Sequence, residues 1–159
     1  METVTTDAID PETTDEHRTH DRRVLTDALN TSDLAVVHYT LEPGERFSGT
    51  LHTHMDQEEV FVVLAGEATF ETEHGTVTVG EDEAIRFAPG EFQTGYNDSD
   101  ERVVALALGG PRDSEDVRIS HIAGYGDVSC SECGHDHMRV DPTTEASELV
   151  CPECGMGWE

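Results

Sequence analysis

From residue 34 to residue 108 the chain is cut into short apolar or alternating runs, each closed by glycine, proline or a polar turn. That punctuation leaves no room for a long helix and prescribes a succession of short strands. Residues 34–41 alternate, with Ala35, Val37, Tyr39 and Leu41 forming the more apolar set. Pro43-Gly44 turns the chain into a second strand over 47–54. Residues 60–64 are apolar on both faces, which places them centrally in a sheet or at a subunit interface. His74-Gly75 reads as the turn of a hairpin between 68–72 and 76–79, and leaves His74 exposed. Runs at 83–88, 92–96 and 102–108 complete the set, with one further strand over 113–122. Short strands of this kind make an all-β sandwich or a small closed antiparallel barrel, and closure removes exposed edges. Phe61, Val63, Phe70, Val77, Val79, Ile85 and Phe87 are the expected core.

Outside this block the chain is polar. Residues 1–23 read as a mobile acidic N-terminal tail, and 24–29 suit either a short helix or a strand. The barrel is expected over 24–122, a linker over 123–129 and a second unit over 130–159. Against 35 Asp and Glu stand nine basic residues, all of them Arg, for a net charge of −26. Self-repulsion of that size opposes compaction in dilute buffer. At 1 M salt the Debye length falls to about 3 Å and the repulsion is nearly abolished. An acidic surface without lysine resembles proteins of salt-in halophiles. Residues 1–10 lack an apolar signal core, and no stretch approaches the ~20 apolar residues of a membrane span. The expected address is the cytoplasm, where cysteines stay reduced and more often hold metal than pair.

Two motifs carry chemistry. His52-Thr53-His54 puts two imidazoles on one face of a strand. After four intervening residues Glu59 offers a carboxylate from the next strand. Two neutral nitrogens and one carboxylate bind a divalent first-row metal and leave positions open for another ligand. Glu58 should point to the opposite face, and His38 reaches the interior only in the less apolar register of its strand. Arg86 and Arg102 are anion-binding candidates if they reach the cavity.

With these residues in place, the stretch from Pro43 to Asn97 resembles the two motifs of the cupin superfamily. The first runs through His52, His54, Glu59 and Gly66; the second runs from Gly80 through Pro89-Gly90 to Asn97. The resemblance implies a double-stranded β-helix, or jelly roll, often dimeric, with a metal inside the barrel. It also implies a fourth ligand at the position of Gln93, where the family carries histidine. Two further departures are Ala88 in place of a proline, and seven residues between Gly44 and His52 where the family has five. A glutamine amide offers only a neutral carbonyl oxygen, so Gln93 is either a weak fourth contact or a hydrogen-bond partner. The metal, Fe, Mn, Zn or Ni, is not specified by these residues.

At the other end, Cys130-Ser-Glu-Cys133-Gly and Cys151-Pro-Glu-Cys154-Gly are two knuckles separated by seventeen residues. Each aims two thiolates at one point, and two such turns complete a closed tetrahedral zinc site. A segment this short buries too little surface to fold alone, so the metal supplies the folding energy. His135 and His137 are read as exposed bystanders. One arginine, Arg139, among many acids excludes a nucleic-acid surface. The ribbon is therefore expected to stabilise the chain or dock a protein partner. Two functions fit: a metal-dependent enzyme on a small molecule, with the dioxygenase, decarboxylase or isomerase chemistry that the cupin resemblance allows, or a non-catalytic ligand-binding module.

Overall fold

The computed structural model describes residues 1–12, 21–144 and 148–158. Its strands are β1 (Asp21–Val24), β2 (Ala35–Leu41), β3 (Thr50–His54), β4 (Glu58–Ala65), β5 (Glu67–Thr72), β6 (Gly75–Gly80), β7 (Ala84–Phe87), β8 (Gln93–Tyr96), β9 (Val103–Gly110), β10 (Val117–Ile122), β11 (Gly126–Asp127), β12 (Met138–Val140) and β13 (Leu149–Val150). One sheet has the order β1-β2-β9-β4-β7, and the second β13-β12-β10-β3-β8-β5-β6, with β11 also on β10. Every pairing is antiparallel. A short helix, α1 (Thr26–Leu29), links β1 to β2 and is tied down by Thr26, whose hydroxyl accepts the Val36 N–H. Among the described residues no helix is long and apolar enough to cross a membrane.

The alternating runs decide which faces meet. On β2 the buried residues are Val37, Tyr39 and Leu41, as the pattern predicts, and on β9 they are Val103, Ala105 and Ala107. The alanines of β9 leave room for rings. Phe47, Phe61 and Phe70 lie 5.0–5.6 Å apart, centroid to centroid, and Phe87 stands 5.5 Å from Phe70. Each such burial is worth roughly 1.5–3 kcal/mol. Gly95 is required here, because a Cβ would lie 2.6 Å from both the Phe47 and Phe70 rings. Gly66 turns between β4 and β5 at φ +77°, where a Cβ would also strike the Arg102 carbonyl oxygen.

Three expectations are corrected. Val77 is 45% exposed, because β6 is the outermost strand of its sheet. His38, in register with Leu106, lies on the outer face of the five-stranded sheet, opposite Val37 and Tyr39, as the more apolar register of β2 implies. Residues 21–23, assigned to the tail, form with Val24 a strand on the edge of that sheet, and the short segment after it is the helix; residues 13–20 of the expected tail lie outside the described residues. Residues 123–129 form the turn and return strand of a β10–β11 hairpin, and Val128 is fully buried. The ribbon therefore continues the barrel: β12 pairs with β10 through Arg118–Arg139 and Ile119–Met138.

Candidate metal centre

Strand β3 turns His52 and His54 toward the interior, and Glu59 enters from the start of β4, paired with Gly109 on one side and Phe87 on the other. The ligand atoms of the three side chains all lie within 4.8 Å of one another. His54 Nε2 is 4.0 Å from Glu59 Oε2, and the two imidazoles meet edge to face at 5.3 Å. His52 Nδ1 lies 3.0 Å from the Thr50 carbonyl oxygen. A carbonyl only accepts, so Nδ1 carries the proton and Nε2 is the nitrogen with the acceptor lone pair. Behind it the hydroxyls of Thr50 and Ser48 stand 3.2 and 3.5 Å from the same nitrogen.

Electrostatics suit a cation at this point. Burial lowers the His54 pKa, which keeps its imidazole neutral and able to bind metal at neutral pH. Burial lifts the Glu59 carboxyl to about 7, against the opposing pull of Gln93 and Arg22. A buried carboxylate with so little compensation is costly, and a divalent ion would supply the missing charge. His54 Nδ1 is a buried polar atom with no hydrogen-bond partner among the described residues. The donor set and this unmet charge fit a first-row divalent metal. Gln93 is 3% exposed, stands opposite His52, and donates its amide N–H to Glu59 Oε2 at 3.2 Å.

The three side chains line a cavity of about 570 Å³, floored by Phe47 and Phe61. Arg86 and Arg102 do not reach it; both are exposed and paired with Glu58 and Glu42. Glu58 points outward, as expected, and His74 is exposed in its turn. The cavity's cations are Arg22 and Arg112, which sequence reasoning passed over. Arg22 fell in the presumed tail, and nothing in the four residues of β1 marks it. Gln57 was missed too; it donates to the carbonyls of Pro111 and Arg112 and so holds the loop that carries Arg112.

The cysteines form a second cluster, with all four sulfurs within 4.8 Å of one another. Cys130–Cys154 and Cys133–Cys151 sulfurs are 3.5 Å apart, far beyond a disulfide and near the about 3.8 Å edge of a ZnS₄ tetrahedron. The two knuckles are one turn used twice. Gly134 and Gly155 donate to the carbonyls of Cys130 and Cys151 at φ +74° and +76°, and the N–H groups of Cys130 and Cys151 bond His135 and Met156. The backbone N–H of Cys133 draws the Cys130 thiol down to about 6, a thiolate-favouring position. His135 and His137 are half-buried rather than exposed; their Nε2 atoms are 3.1 Å apart, and His137 also meets Arg118 and the Phe92 ring.

These features define a jelly-roll barrel with a histidine–carboxylate cluster in its cavity. Residues 37–109, within the barrel, match the family described as Cupin domain. Among similar solved structures is a Klebsiella pneumoniae protein with a double-stranded β-helix domain, 18% identical, covering 74% of this chain and 95% of its own, at TM-score 0.59. A sugar phosphate isomerase from a cupin superfamily, of Silicibacter pomeroyi, is 21% identical, covers 79% and 80%, and gives 0.55. A provisionally assigned sugar phosphate isomerase of Acidithiobacillus ferrooxidans is 22% identical at TM-score 0.55; the match covers 62% of each chain. At these identities the likeness shows the fold alone. No curated protein matches the chain significantly.

Proposed function

We propose that the barrel binds one divalent transition metal through His52, His54 and Glu59, with Gln93 as a weak fourth contact, and acts on a small molecule there. The observation that carries this reading is the convergence of two neutral imidazoles and one under-compensated carboxylate on a cavity large enough for a ligand. A metal so held would supply a Lewis acid with open positions. The chain's own residues do the rest. Thr50 fixes the His52 tautomer, Gln93 holds the Glu59 oxygen, and Phe47 and Phe61 keep water from the floor. Dioxygenase, decarboxylase and isomerase chemistry all remain within this reading, as does ligand binding without turnover. The four cysteines hold a structural zinc: a closed set of four thiolates has no position for substrate.

Metal content tests the proposal. The full chain purified in metal-replete buffer should carry two metals, and the His52→Ala, His54→Ala double variant one. Equal content in both proteins would remove the barrel site.

A further inference from the structure

The cavity lining balances Arg22 and Arg112 against Glu59 and Asp113, in a chain whose net charge is −26. Nine arginines face 35 acids; Arg86 and Arg102 are exposed against Glu58 and Glu42, and the part-buried Arg23 and Arg118 are held by the nearby Asp21 and Asp116. Arg22 is different. It enters the cavity from β1 beside its cross-strand neighbour Tyr39, whose hydroxyl accepts from Nε at 3.1 Å and whose ring lies 5.8 Å from the guanidinium. Its ion-pair partner, Glu12, is half-exposed and belongs to the N-terminal segment rather than to the barrel. A guanidinium has five N–H donors, so these two bonds do not exhaust it.

Arg22 and Glu59 line the same cavity. Arg112 also lines the cavity, held by the Thr31 carbonyl and paired with Asp27 and, at 3.9 Å, Asp113. A planar fork facing a polar cavity is matched by a carboxylate or phosphate, which it can hold with two parallel hydrogen bonds.

Resting on the metal reading above, we infer that the ligand of this cavity is a small oxyanion-bearing molecule, its carboxylate or phosphate group on Arg22 and its other end toward the His52–His54–Glu59 cluster. Glu12 then occupies part of the site in the absence of ligand and competes with it.

The test is a titration of the full chain, isotopically labelled, with sodium acetate, with inorganic phosphate and with glycerol at constant ionic strength. The Arg22 Nε–H and Tyr39 ring resonances are followed. At least one anion should shift both saturably, and glycerol neither; the stronger of the two identifies the acid group. Arg22→Met should weaken binding by roughly tenfold or more, and Arg22→Lys by less, since it keeps charge and loses the fork. Glu12→Gln should tighten binding severalfold, which a merely structural role for Arg22 would not produce. No saturable shift with either anion, or equal binding by Arg22→Met, overturns the inference. Metal content measured on the same samples separates the two proposals. Anion binding at Arg22 without barrel metal leaves this inference standing and removes the metal site, whereas metal without an anion response does the reverse.

Discussion

The barrel and the ribbon both present pairs of metal-binding side chains at short spacing, but they stand in opposite relations to their folds. The barrel has a core of its own, built on Phe47, Phe61, Phe70, Phe87 and the inward residues of β2 and β9, and that core holds His52, His54 and Glu59 at the edge of a cavity. The ribbon's core is Val128, Met138 and two of the cysteines themselves, helped by Ile119, Ile122 and Leu149. In the first case the fold builds the site. In the second the site builds the fold, because so few apolar groups cannot offset the entropy of ordering the segment.

The largest expected effect follows directly. Cys154→Ser should cost the ribbon its structure, since structural zinc supplies ~10–16 kcal/mol of apparent binding energy in segments of this size. Amide protection should vanish over 138–140 and 149–150, while β4 and β9 keep theirs. Hydrogen exchange checks this, and undiminished protection in the ribbon would break the comparison. The join makes the effect reach further: Val140 lines the cavity, so removing β12 should also open one wall of the ligand site.

The second effect belongs to Glu59. Its carboxyl is lifted to about 7 by burial, so the metal-free native state holds its proton more tightly than the unfolded chain. This contribution is fully present below the ordinary carboxylate range and is lost as pH rises through about 7. The metal-free barrel should therefore lose on the order of 3 kcal/mol between pH 4.5 and 8 through this group. Glu59→Gln should remove that part of the decline, measured as the difference between the two denaturation profiles, and should bind metal poorly. Parallel profiles would contradict the assignment.

Gln93→His gives a smaller, opposite change. Replacing a weak amide donor with an imidazole should tighten barrel metal binding by ~10–100-fold, as such neighbouring groups commonly do. Calorimetric titration with Co²⁺ after the ribbon is filled with zinc measures it. The smallest effect is distributed over the surface. Melting temperature should rise between dilute buffer and 2 M KCl as screening relieves the acidic charge, and a flat or falling curve would refute that reading.

Much of this was legible in the sequence, for different reasons in different places. The alternation in 34–41 fixes which face of β2 is buried, and the family spacing of His52, His54 and Glu59 brings their side chains into one cluster. The cysteine knuckles were equally plain, because a local turn needs only four residues and a glycine. What escaped was long-range. Arg22 reaches the cavity only because β1 pairs with β2, a contact made across a short helix and a turn. Gln57 and Arg112 meet because β9 ends beside the start of β4. The ribbon's continuity with β10 depends on the pairing of Ile119 with Met138, and no periodicity announces it. His135 and His137 seemed surface residues for the same reason: Arg118 and Phe92, which cover them, come from distant parts of the chain.

The central claim, a site held by its fold beside a fold held by its site, is tested most directly by stepwise chelation of the full chain followed residue by residue. With increasing chelator the barrel metal should leave first, shifting His52, His54 and Glu59 signals while the rest of 35–110 stays dispersed. The zinc should leave second, and only then should signals from 130–158 collapse toward unfolded positions. A single transition in which barrel and ribbon lose structure together, or a ribbon that stays folded after its metal is gone, would contradict the account.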